Sequence, residues 1–252
     1  MARTRIPGNE RRTQIVAAAR RVFSRHGYDG AKTLQIAREA KISEALVYRH
    51  FPSKLALYRA VLRQVFLDQD ERWREQGIQG EGSRGLAAAI HTFIAASATD
   101  SADPARHDTH RMTLASLAGD GSYASLIYRR SQRRNAATMN KAYASARAEG
   151  GLSGEELHVP AAAMFVEHVG TMIAVIGGLP ASAQPYGIEG DELVRQATWF
   201  CLRGIGMPDK VIGEYFASLA CRAGWRRRQA ATDALMLYSD RTGRAMASAN
   251  AS

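Results

Sequence analysis

The sequence predicts an all-α fold, and two observations support this. Apolar residues recur at spacings of three and four along almost the whole chain, which places them on one side of successive helices. Alternating apolar and polar runs rich in Val, Ile and Thr, which predict half-buried strands, do not occur. Hydrophobic residues make up 46% of the 252 residues, so the chain has enough apolar surface for a buried core.

Three helices are predicted before residue 51. The first runs from about residue 9 to 26 and stops at Gly27, because glycine readily adopts the left-handed backbone that ends helices. The second runs from about 33 to 40 and the third from 43 to 50, and each begins with a hydroxyl residue that can accept a free backbone N–H. Their closeness in sequence predicts a tight turn between them.

A long amphipathic helix is predicted from Lys54 to about Gln76, where it would join two parts of the molecule. Glycines cluster between residues 77 and 85 and predict the loop that follows it. Further helices are predicted at about 84–98, 109–118, 122–149, 154–178, 189–204, 208–223 and 230–238.

Positive charge is concentrated at the N-terminus. The net charge of the whole chain is +10, and residues 1–54 hold twelve Lys and Arg against four acidic residues, which gives +8. The remaining residues therefore carry only +2. A surface that binds a polyanion, above all nucleic acid, is accordingly expected on the N-terminal helices.

The segment 33–54 has the pattern of a helix-turn-helix motif. It reads T-L-Q-I-A-R-E-A-K-I-S-E-A-L-V-Y-R-H-F-P-S-K, and Ile36, Ala37, Ile42 and Val47 are spaced to form a small core between two short helices. Two short helices of this kind on a basic first helix place a recognition helix in the DNA major groove. Two ordinary core helices are the alternative interpretation of the spacing alone.

The sequence from about Arg11 to Val61 resembles the DNA-binding domain of the TetR family of transcriptional regulators, above all in the run L-V-Y-R-H-F-x-S-K. This is about a fifth of the chain, and beyond it the helices are similar to the family only in number, length and order. Lys41 stands where the family usually has glycine, and Ala45 where it often has glycine or another small residue. A left-handed backbone at Lys41 would cost on the order of 1 kcal/mol.

The resemblance implies DNA contacts from the second and third helices. Arg49 is expected to read guanine through two hydrogen bonds, and Glu44 to accept one from a cytosine amine unless it is only a solvated acid. Thr33, Tyr48, His50 and Lys54 resemble the phosphate clamps of the family. The complete predicted set is Thr33, Leu34, Ser43, Glu44, Ala45, Tyr48, Arg49, His50 and Lys54, and a basic arm with Arg3 and Arg5 is a further candidate.

The resemblance also implies a second domain that dimerises and holds a small-molecule effector. The helices at about 154–178 and 189–204 are predicted to form a dimer interface, because small residues in the first of them allow close helix approach. These small residues are Ala163, Gly170, Ala174 and Gly178. A helix buried within one chain is the alternative.

Polar residues inside otherwise apolar helices are the candidates for an effector site. They are His110, Arg111, Tyr143, Glu167 and His168. Because a buried charge is costly unless it is paired, an arginine or glutamate facing the interior predicts a ligand of opposite charge. Arg111 is the predicted anchor of an anionic or carbonyl-bearing effector, and a surface or internally bonded side chain is the alternative at each position.

Two other classes of protein are weighed against this interpretation. A helical di-iron enzyme needs Glu-x-x-His on two helices and two further glutamates, and the chain offers only Glu155-x-x-His158. An architectural DNA-binding protein would bind without sequence preference and has no need of a large, nearly neutral helical body. The pattern therefore predicts neither catalysis nor a metal or other cofactor.

The two cysteines, Cys201 and Cys221, are too few and too far apart for a disulfide framework, and the N-terminus has no apolar segment typical of a secretion signal. A cytoplasmic protein without a membrane span is expected. We predict a DNA-binding domain at 1–54, an effector-binding and dimerisation domain at 55–224 and a basic extension at 225–252. The predicted function is a homodimeric repressor that binds a pseudo-palindromic operator and is released by a small molecule, with an activator as the alternative.

Overall fold

The computed structural model describes residues 7–76 and 80–221. In these two ranges all regular structure is helical. The predictions for the N-terminal arm, for the helix at 230–238 and for the extension from 225 lie outside the described residues. The helices are α1 (Gly8–Gly30), α2 (Thr33–Glu39), α3 (Glu44–His50), α4 (Lys54–Gln76), α5 (Gly82–Asp100), α6 (Pro104–Leu117), α7 (Ser122–Ala148), α8 (Val159–Gly177), a short 3-10 helix (Ala181–Ala183), α9 (Gly190–Gly204) and α10 (209–221).

The predicted all-α fold is confirmed, and two helix starts were predicted wrongly. Helix α6 begins at Pro104 rather than at 109, because the Asp103 carboxylate accepts hydrogen bonds from the first backbone N–H groups of that helix. Helix α8 begins at Val159 rather than at 154, since Pro160 suits the first turn of a helix. The segment 151–158 before it is a loop.

The first buried core joins the N-terminal helices to the body of the protein. Ile15, Phe23, Ile36 and Val47 are all buried in it, and they come from α1, α2 and α3. Residues of α4, α6 and α7 complete the same cluster, namely Leu57, Val61, Leu62, Val65, Met112, Tyr123 and Ile127. Helix α1 therefore packs directly on α6 as well as on α4.

Polar contacts fix α1 against α4 and α6. The Arg20 side chain, only 6% of whose residue surface is exposed, forms an ion pair with Asp68 of α4 at 2.9 Å and donates to the carbonyl of Ala105 in α6 at 3.3 Å. One turn further along, the Ser24 hydroxyl donates to the Asp108 carboxylate at 2.6 Å. Displacement of α6 would therefore strain its contacts with α1.

The second core lies among α5, α7, α8, α9 and α10. Leu86, Ile94, Leu202 and Ile212 are fully or almost fully buried there. The Tyr143 hydroxyl of α7 donates to the carbonyl of Ile205 at 3.1 Å, just after the end of α9. This hydrogen bond joins α7 to the end of α9. The space between α5, α7 and α8 forms the interior of the domain.

The small residues of α8 pack within the chain rather than on its surface. Gly170 and Ala174 are buried, and a Cβ atom at Gly170 would lie 2.5 Å from Cε1 of Phe93 in α5. The close approach predicted from the sequence is thus made by α5 and α8 of one protomer. On this face α8 is therefore buried within the chain, which was the alternative to a dimer interface.

The other face of α8 is exposed and largely apolar, apart from His168 between Phe165 and Met172. Phe165 has 68% of its surface exposed and Met172 has 40%, while Phe200 of the neighbouring α9 has 69%. Helix α8 has 19 residues with a mean hydropathy of 1.7, so by length and composition alone it is able to cross a membrane. Because α8 packs against both α5 and α7, we interpret it as a core helix with one uncovered apolar face.

The turn between α2 and α3 carries the strained residue anticipated from the sequence. Lys41 has a φ of 55°, and it is the non-glycine residue in the described part of the chain with a left-handed backbone. We expect Lys41→Gly to raise the free energy of unfolding by about 0.5–1 kcal/mol, because glycine adopts this conformation without steric strain. Lys41→Ala removes the same side chain but keeps the Cβ atom, so urea unfolding of this variant should show no gain. A Lys41→Gly protein less stable than Lys41→Ala would contradict the explanation.

Candidate nucleic-acid interface and ligand cavity

Helix α3 presents an exposed polar face. The Ser43 hydroxyl accepts a hydrogen bond from the backbone N–H of Leu46 at 3.2 Å and so caps the helix. Val47 is buried in the first core, which fixes the rotation of α3 about its axis. Ala45 and Arg49 consequently lie on the exposed side of the helix, where they are free to meet a ligand.

Tyr48 lies on α3 next to the start of α2. Its residue surface is 47% exposed, and its hydroxyl donates to the Thr33 hydroxyl at 3.3 Å. Thr33 is largely buried as the first residue of α2, while its neighbour Leu34 is exposed. Glu44 and His50 are partly exposed at opposite ends of α3. The structure therefore brings the predicted residues of α2 and α3 to one surface.

The sequence analysis missed Arg12 of α1. Its guanidinium donates to the carbonyl of His50 at 3.1 Å and lies 4.2 Å from the centre of the Phe51 ring. A cation at the C-terminus of a helix is favourable, because the unpaired carbonyl groups there carry partial negative charge. Arg12 thus positions the end of α3, and only its place in a basic helix hinted at a role.

Lys54 is held by the protein itself. Its ammonium donates to the carbonyl of Tyr28 at 2.8 Å and to that of Ala31 at 3.2 Å, and it lies 4.5 Å from the Tyr28 ring centre. These bonds join the first residue of α4 to the end of α1. A phosphate contact by Lys54 stays a prediction, and its ammonium already has partners.

The basic surface is partly neutralised. Glu39 of α2 pairs with Arg25 at 2.5 Å and with Arg21 at 2.7 Å, and hydrogen bonds from these two arginines hold the pKa of the Glu39 carboxyl below its ordinary value. Arg38 and Arg49, by contrast, are exposed and have no ion pair within residues 7–76 and 80–221. Net positive charge therefore remains beside α3, where it suits a polyanion.

A cavity of about 490 Å³ lies in the body of the protein. Its size falls within the range of small-molecule sites, and its walls are mostly apolar. Helices α4, α5, α6, α7 and α8 all contribute to it. The apolar wall includes Ala89, Ile90, Phe93, Ile127, Ala136, Met139, Val159, Pro160, Ala163, Met164 and Val166.

Of the residues predicted for the effector site, His110 and Glu167 line this cavity. Arg111 and His168 are exposed and lie outside the lining, because each is rotated by about 100° around its helix from the neighbour that faces inward. Tyr143 is buried in the second core, with its hydroxyl bonded to a backbone carbonyl. The prediction that Arg111 anchors a ligand in this cavity is therefore not supported by its position.

Asp100 forms a buried polar centre beside the cavity. Its side chain is completely buried and contacts Arg72 at 2.6 Å, His110 Nε2 at 2.9 Å and Arg106 at 3.6 Å. Burial alone would raise the pKa of the Asp100 carboxyl, but hydrogen bonds from His110 and Arg72 outweigh it and hold the pKa below its ordinary value. Since Arg72 belongs to α4 and His110 to α6, Asp100 of α5 joins these two helices.

Glu167 is the carboxylate in the cavity lining. Burial raises the pKa of its carboxyl above the ordinary value, against the opposing effect of a hydrogen bond from the Ser131 hydroxyl at 2.7 Å. Ser131 and Arg133 of α7 also line the cavity, and the sequence analysis missed both. They lie in a stretch of α7 that is polar on all sides, where no apolar contrast marks the inward face.

The spacing considered for a metal enzyme lies in a loop. Glu155 and His158 are exposed between α7 and α8, so they do not project from a helix into a bundle interior. In the ranges 7–76 and 80–221 there is no group of three or more His, Cys, Asp or Glu side chains placed to hold a metal ion. The geometry thus lends no support to the di-iron alternative.

Residues 15–61 match the family model described as bacterial regulatory proteins, tetR family. The match contains α2, α3, the turn at Lys41 and the first turns of α4. These residues form a TetR-family helix-turn-helix domain. The TetR-type domain thus includes all nine residues that the sequence predicts to contact DNA, from Thr33 to Lys54.

Two curated relatives are similar in the same region. The transcriptional activator FasR of Mycolicibacterium smegmatis is 48% identical over 59 residues, which are 23% of this chain and 27% of FasR. The transcriptional regulator HbdR of Aromatoleum sp. is 44% identical over 71 residues, or 28% of this chain and 31% of HbdR. The matched segments therefore span about a quarter to a third of these relatives.

The fold outside the TetR-type domain also has counterparts among solved structures. AibR, solved in complex with isovaleryl coenzyme A and operator DNA, superposes with a TM-score of 0.58 over 79% of this chain and 100% of AibR. The sequence identity is 16%, so the likeness shows a shared fold. The arrangement of a helix-turn-helix unit on a larger helical body is common to the two proteins.

Proposed function

We propose that the protein is a homodimeric transcriptional regulator that binds a pseudo-palindromic DNA operator and responds to a small-molecule effector. The observation that carries the DNA-binding part is the exposed face of α3. There a fixed rotation of the helix leaves Ala45, Tyr48 and Arg49 exposed beside a basic surface that is only partly neutralised. Side chains in this position on a second helix reach base edges when the helix enters the major groove.

Dimerisation is proposed through the exposed apolar face of α8 and α9. Phe165 and Phe200 are the two most exposed large apolar side chains among the described residues, and Met172 is also exposed. All three lie on the two helices that the sequence predicts to form the interface. Exposed apolar surface of this kind is typical of a protein interface. In a two-fold dimer α8 and α9 of both protomers form a four-helix contact.

An effector in the cavity is proposed to change the spacing of the two TetR-type domains. Gln69 and Arg72 of α4 line the cavity, and the same helix begins at Lys54, directly after α3. His110 of α6 also lines it, and α6 bonds to α1 through Ala105 and Asp108. If the ligand binds more tightly to the conformation whose domain spacing does not fit the operator, the protein is released from DNA. If it binds more tightly to the conformation that fits the operator, the protein acts as an activator.

Selection of bound duplexes from a random DNA pool at near-physiological salt tests this function. We expect a two-fold symmetric sequence, with half-sites about 34 Å or somewhat more apart, that binds at least about a thousandfold tighter than a scrambled duplex. Equal binding of both duplexes would favour an architectural DNA-binding protein. Failure to bind either duplex would contradict the proposal altogether.

Two variants separate base reading from phosphate contact. Arg49→Ala is expected to relax the preference at one base pair of each half-site by about 1–3 kcal/mol, because a bidentate contact to guanine is lost. Tyr48→Phe is expected to weaken binding of all sequences about equally, since a hydroxyl that contacts phosphate carries no base preference. Competition binding with single-base operator variants measures both. A uniform loss for Arg49→Ala would assign Arg49 to phosphate instead.

A further inference from the structure

The opening of the cavity lies mainly along the middle of α7. Four residues of this segment both line the cavity and are exposed to solvent, namely Gln132, Arg133, Ala136 and Asn140, and Thr92 of α5 is a fifth exposed residue of the lining. The opposite wall, formed by α5 and α8, is buried at Ile90, Val166 and Thr171. A ligand that fills the cavity therefore has one end in an apolar interior and the other beside α7.

The cavity lining has more positively charged than negatively charged side chains. Arg72, Arg133 and Arg134 are in the lining, against the single carboxylate of Glu167. Two of these arginines already have carboxylate partners, since Arg72 contacts Asp100 at 2.6 Å and Arg134 contacts Asp70 at 3.4 Å. Asp70 is also shared with Arg130 at 2.5 Å, so one carboxylate faces two guanidinium groups.

Arg133 is the lining arginine that has no carboxylate partner within the described ranges. No ion pair or hydrogen bond of its guanidinium is formed with residues 7–76 or 80–221. It is exposed at the opening, one residue from Arg134 and close in sequence to Arg129 and Arg130. A planar guanidinium in this position is suited to a two-point contact with a carboxylate or a phosphate.

Glu167 does not pair with Arg133. Its carboxyl accepts a hydrogen bond from the Ser131 hydroxyl at 2.7 Å and forms no ion pair with Arg133. Burial disfavours the charged form of this carboxyl and so raises its pKa above the ordinary value. With three arginines against one carboxylate, the charged side chains of the lining are positive in sum.

We propose that the effector is an amphiphilic anion, with an apolar body between α5 and α8 and a carboxylate or phosphate head group bound by Arg133 at the opening along α7. This inference rests on the proposed function, in that it assigns a chemical class to the effector of the same cavity. It replaces Arg111, which is exposed outside the lining, by Arg133 as the anchoring residue. A cationic amphiphile would meet like charge at the opening and is excluded by the same reasoning.

Binding of three probes with the same tail to the purified full chain tests the head group. Decanoate, decyl phosphate and decyltrimethylammonium are titrated calorimetrically below the concentrations at which they form micelles. We expect at least one of the two anions to bind at least about tenfold tighter than the cation, and the tighter anion identifies the head group. Binding of the cation as tight as that of both anions, or no binding of any probe, would overturn the inference.

Arg133→Glu tests the anchor, with Arg129→Glu as the matched control. Arg129 is exposed on the same helix, one turn earlier, and is not part of the lining. We expect Arg133→Glu to weaken binding of the preferred anion by about tenfold or more, and Arg129→Glu to change it by less than about twofold. Equal losses of anion affinity in the two variants would mean that Arg133 acts only through its contribution to the overall charge. Such a result would overturn its role as the anchor.

The same protein preparation is used for operator selection, so that the two proposals fail separately. If the protein selects a symmetric operator and the anion binds without changing operator affinity, the ligand is not an effector and the inference is wrong while the DNA-binding function stands. If no duplex is selected, the proposed function is wrong whatever the probes do. An anion that binds through Arg133 and shifts operator affinity supports both.

Discussion

Replacement of Asp100 by alanine is expected to lower the free energy of unfolding by about 3 kcal/mol. The side chain of Asp100 is completely buried, and its removal leaves the Arg72 guanidinium and the His110 ring facing each other without the carboxylate that joins them. Arg72 and Arg106 are partly exposed, which keeps the loss at the lower end of the range for a broken buried ion pair. Urea unfolding measures it, and Asp29→Ala, which removes an exposed carboxylate, should change stability by less than about 0.5 kcal/mol.

The loss of stability in Asp100→Ala depends on pH, and the lowered pKa of Asp100 fixes the direction of this dependence. In the unfolded chain this carboxyl has a pKa near 3.8, and in the folded protein hydrogen bonds from His110 and Arg72 outweigh burial and lower it. The carboxylate therefore stabilises the fold above about pH 3.8, and this contribution disappears as the pH falls through the lower folded-state value. The difference in stability between the parent and Asp100→Ala should shrink over the same interval. A difference that does not change down to strongly acidic pH would contradict this explanation.

Replacement of Phe200 by glutamate is expected to separate the dimer. Phe200 is 69% exposed in the single chain and, with Phe165, belongs to the proposed interface. Buried aromatic residues at the centre of an interface contribute about 2 kcal/mol or more each, and two-fold symmetry doubles the effect of one substitution. We expect the dimer dissociation constant to rise by about a thousandfold or more. Sedimentation velocity of the purified protein over a concentration series measures it.

A matched variant distinguishes loss of the interface from a general effect of surface charge. Leu117→Glu places the same charge on another exposed apolar residue, at the end of α6, and should leave the dimer intact. Operator affinity should fall for Phe200→Glu and not for Leu117→Glu, because a monomer holds only one half-site. If Phe200→Glu remains dimeric, the exposed face of α8 and α9 is not the interface and the homodimer needs another surface.

The sequence predicts the helix-turn-helix unit well because several local signals agree there. Ser43 caps α3 as expected, Val47 is buried, and the strained backbone at Lys41 coincides with the departure from the family pattern. Helix α4 has the predicted bounds, from Lys54 to Gln76. In this region the cap at Ser43, the apolar spacing and the resemblance each indicate the same structure. The cap predicted at Thr33 was wrong, because Thr33 is the first residue inside α2 and its hydroxyl is bonded to Tyr48.

The proposed effector site was less predictable, because a polar residue in an apolar helix does not reveal which way it faces. His110 and Arg111 are adjacent in sequence, and only the first reaches the cavity. The same holds for Glu167 and His168. The helix phase depends on how α5, α6, α7 and α8 pack together, and this is set by contacts between residues distant in sequence. Arg133 was missed for a different reason. Its stretch of α7 is polar on all sides, so the sequence has no apolar periodicity that marks the inward face.

In the proposed regulator, the bonds of Lys54 limit how a ligand in the cavity can act on bound DNA. The ammonium is anchored on the carbonyls of Tyr28 and Ala31, so α4 is prevented from sliding along its own axis relative to the TetR-type domain. The far end of α4, at Gln69 and Arg72, is the part that touches the cavity, roughly 25 Å away along the helix. We therefore expect a bound ligand to tilt α4 and the attached TetR-type domain together about the anchored end at Lys54. A small lateral displacement of α4 at the cavity would then produce a larger displacement of the recognition helix.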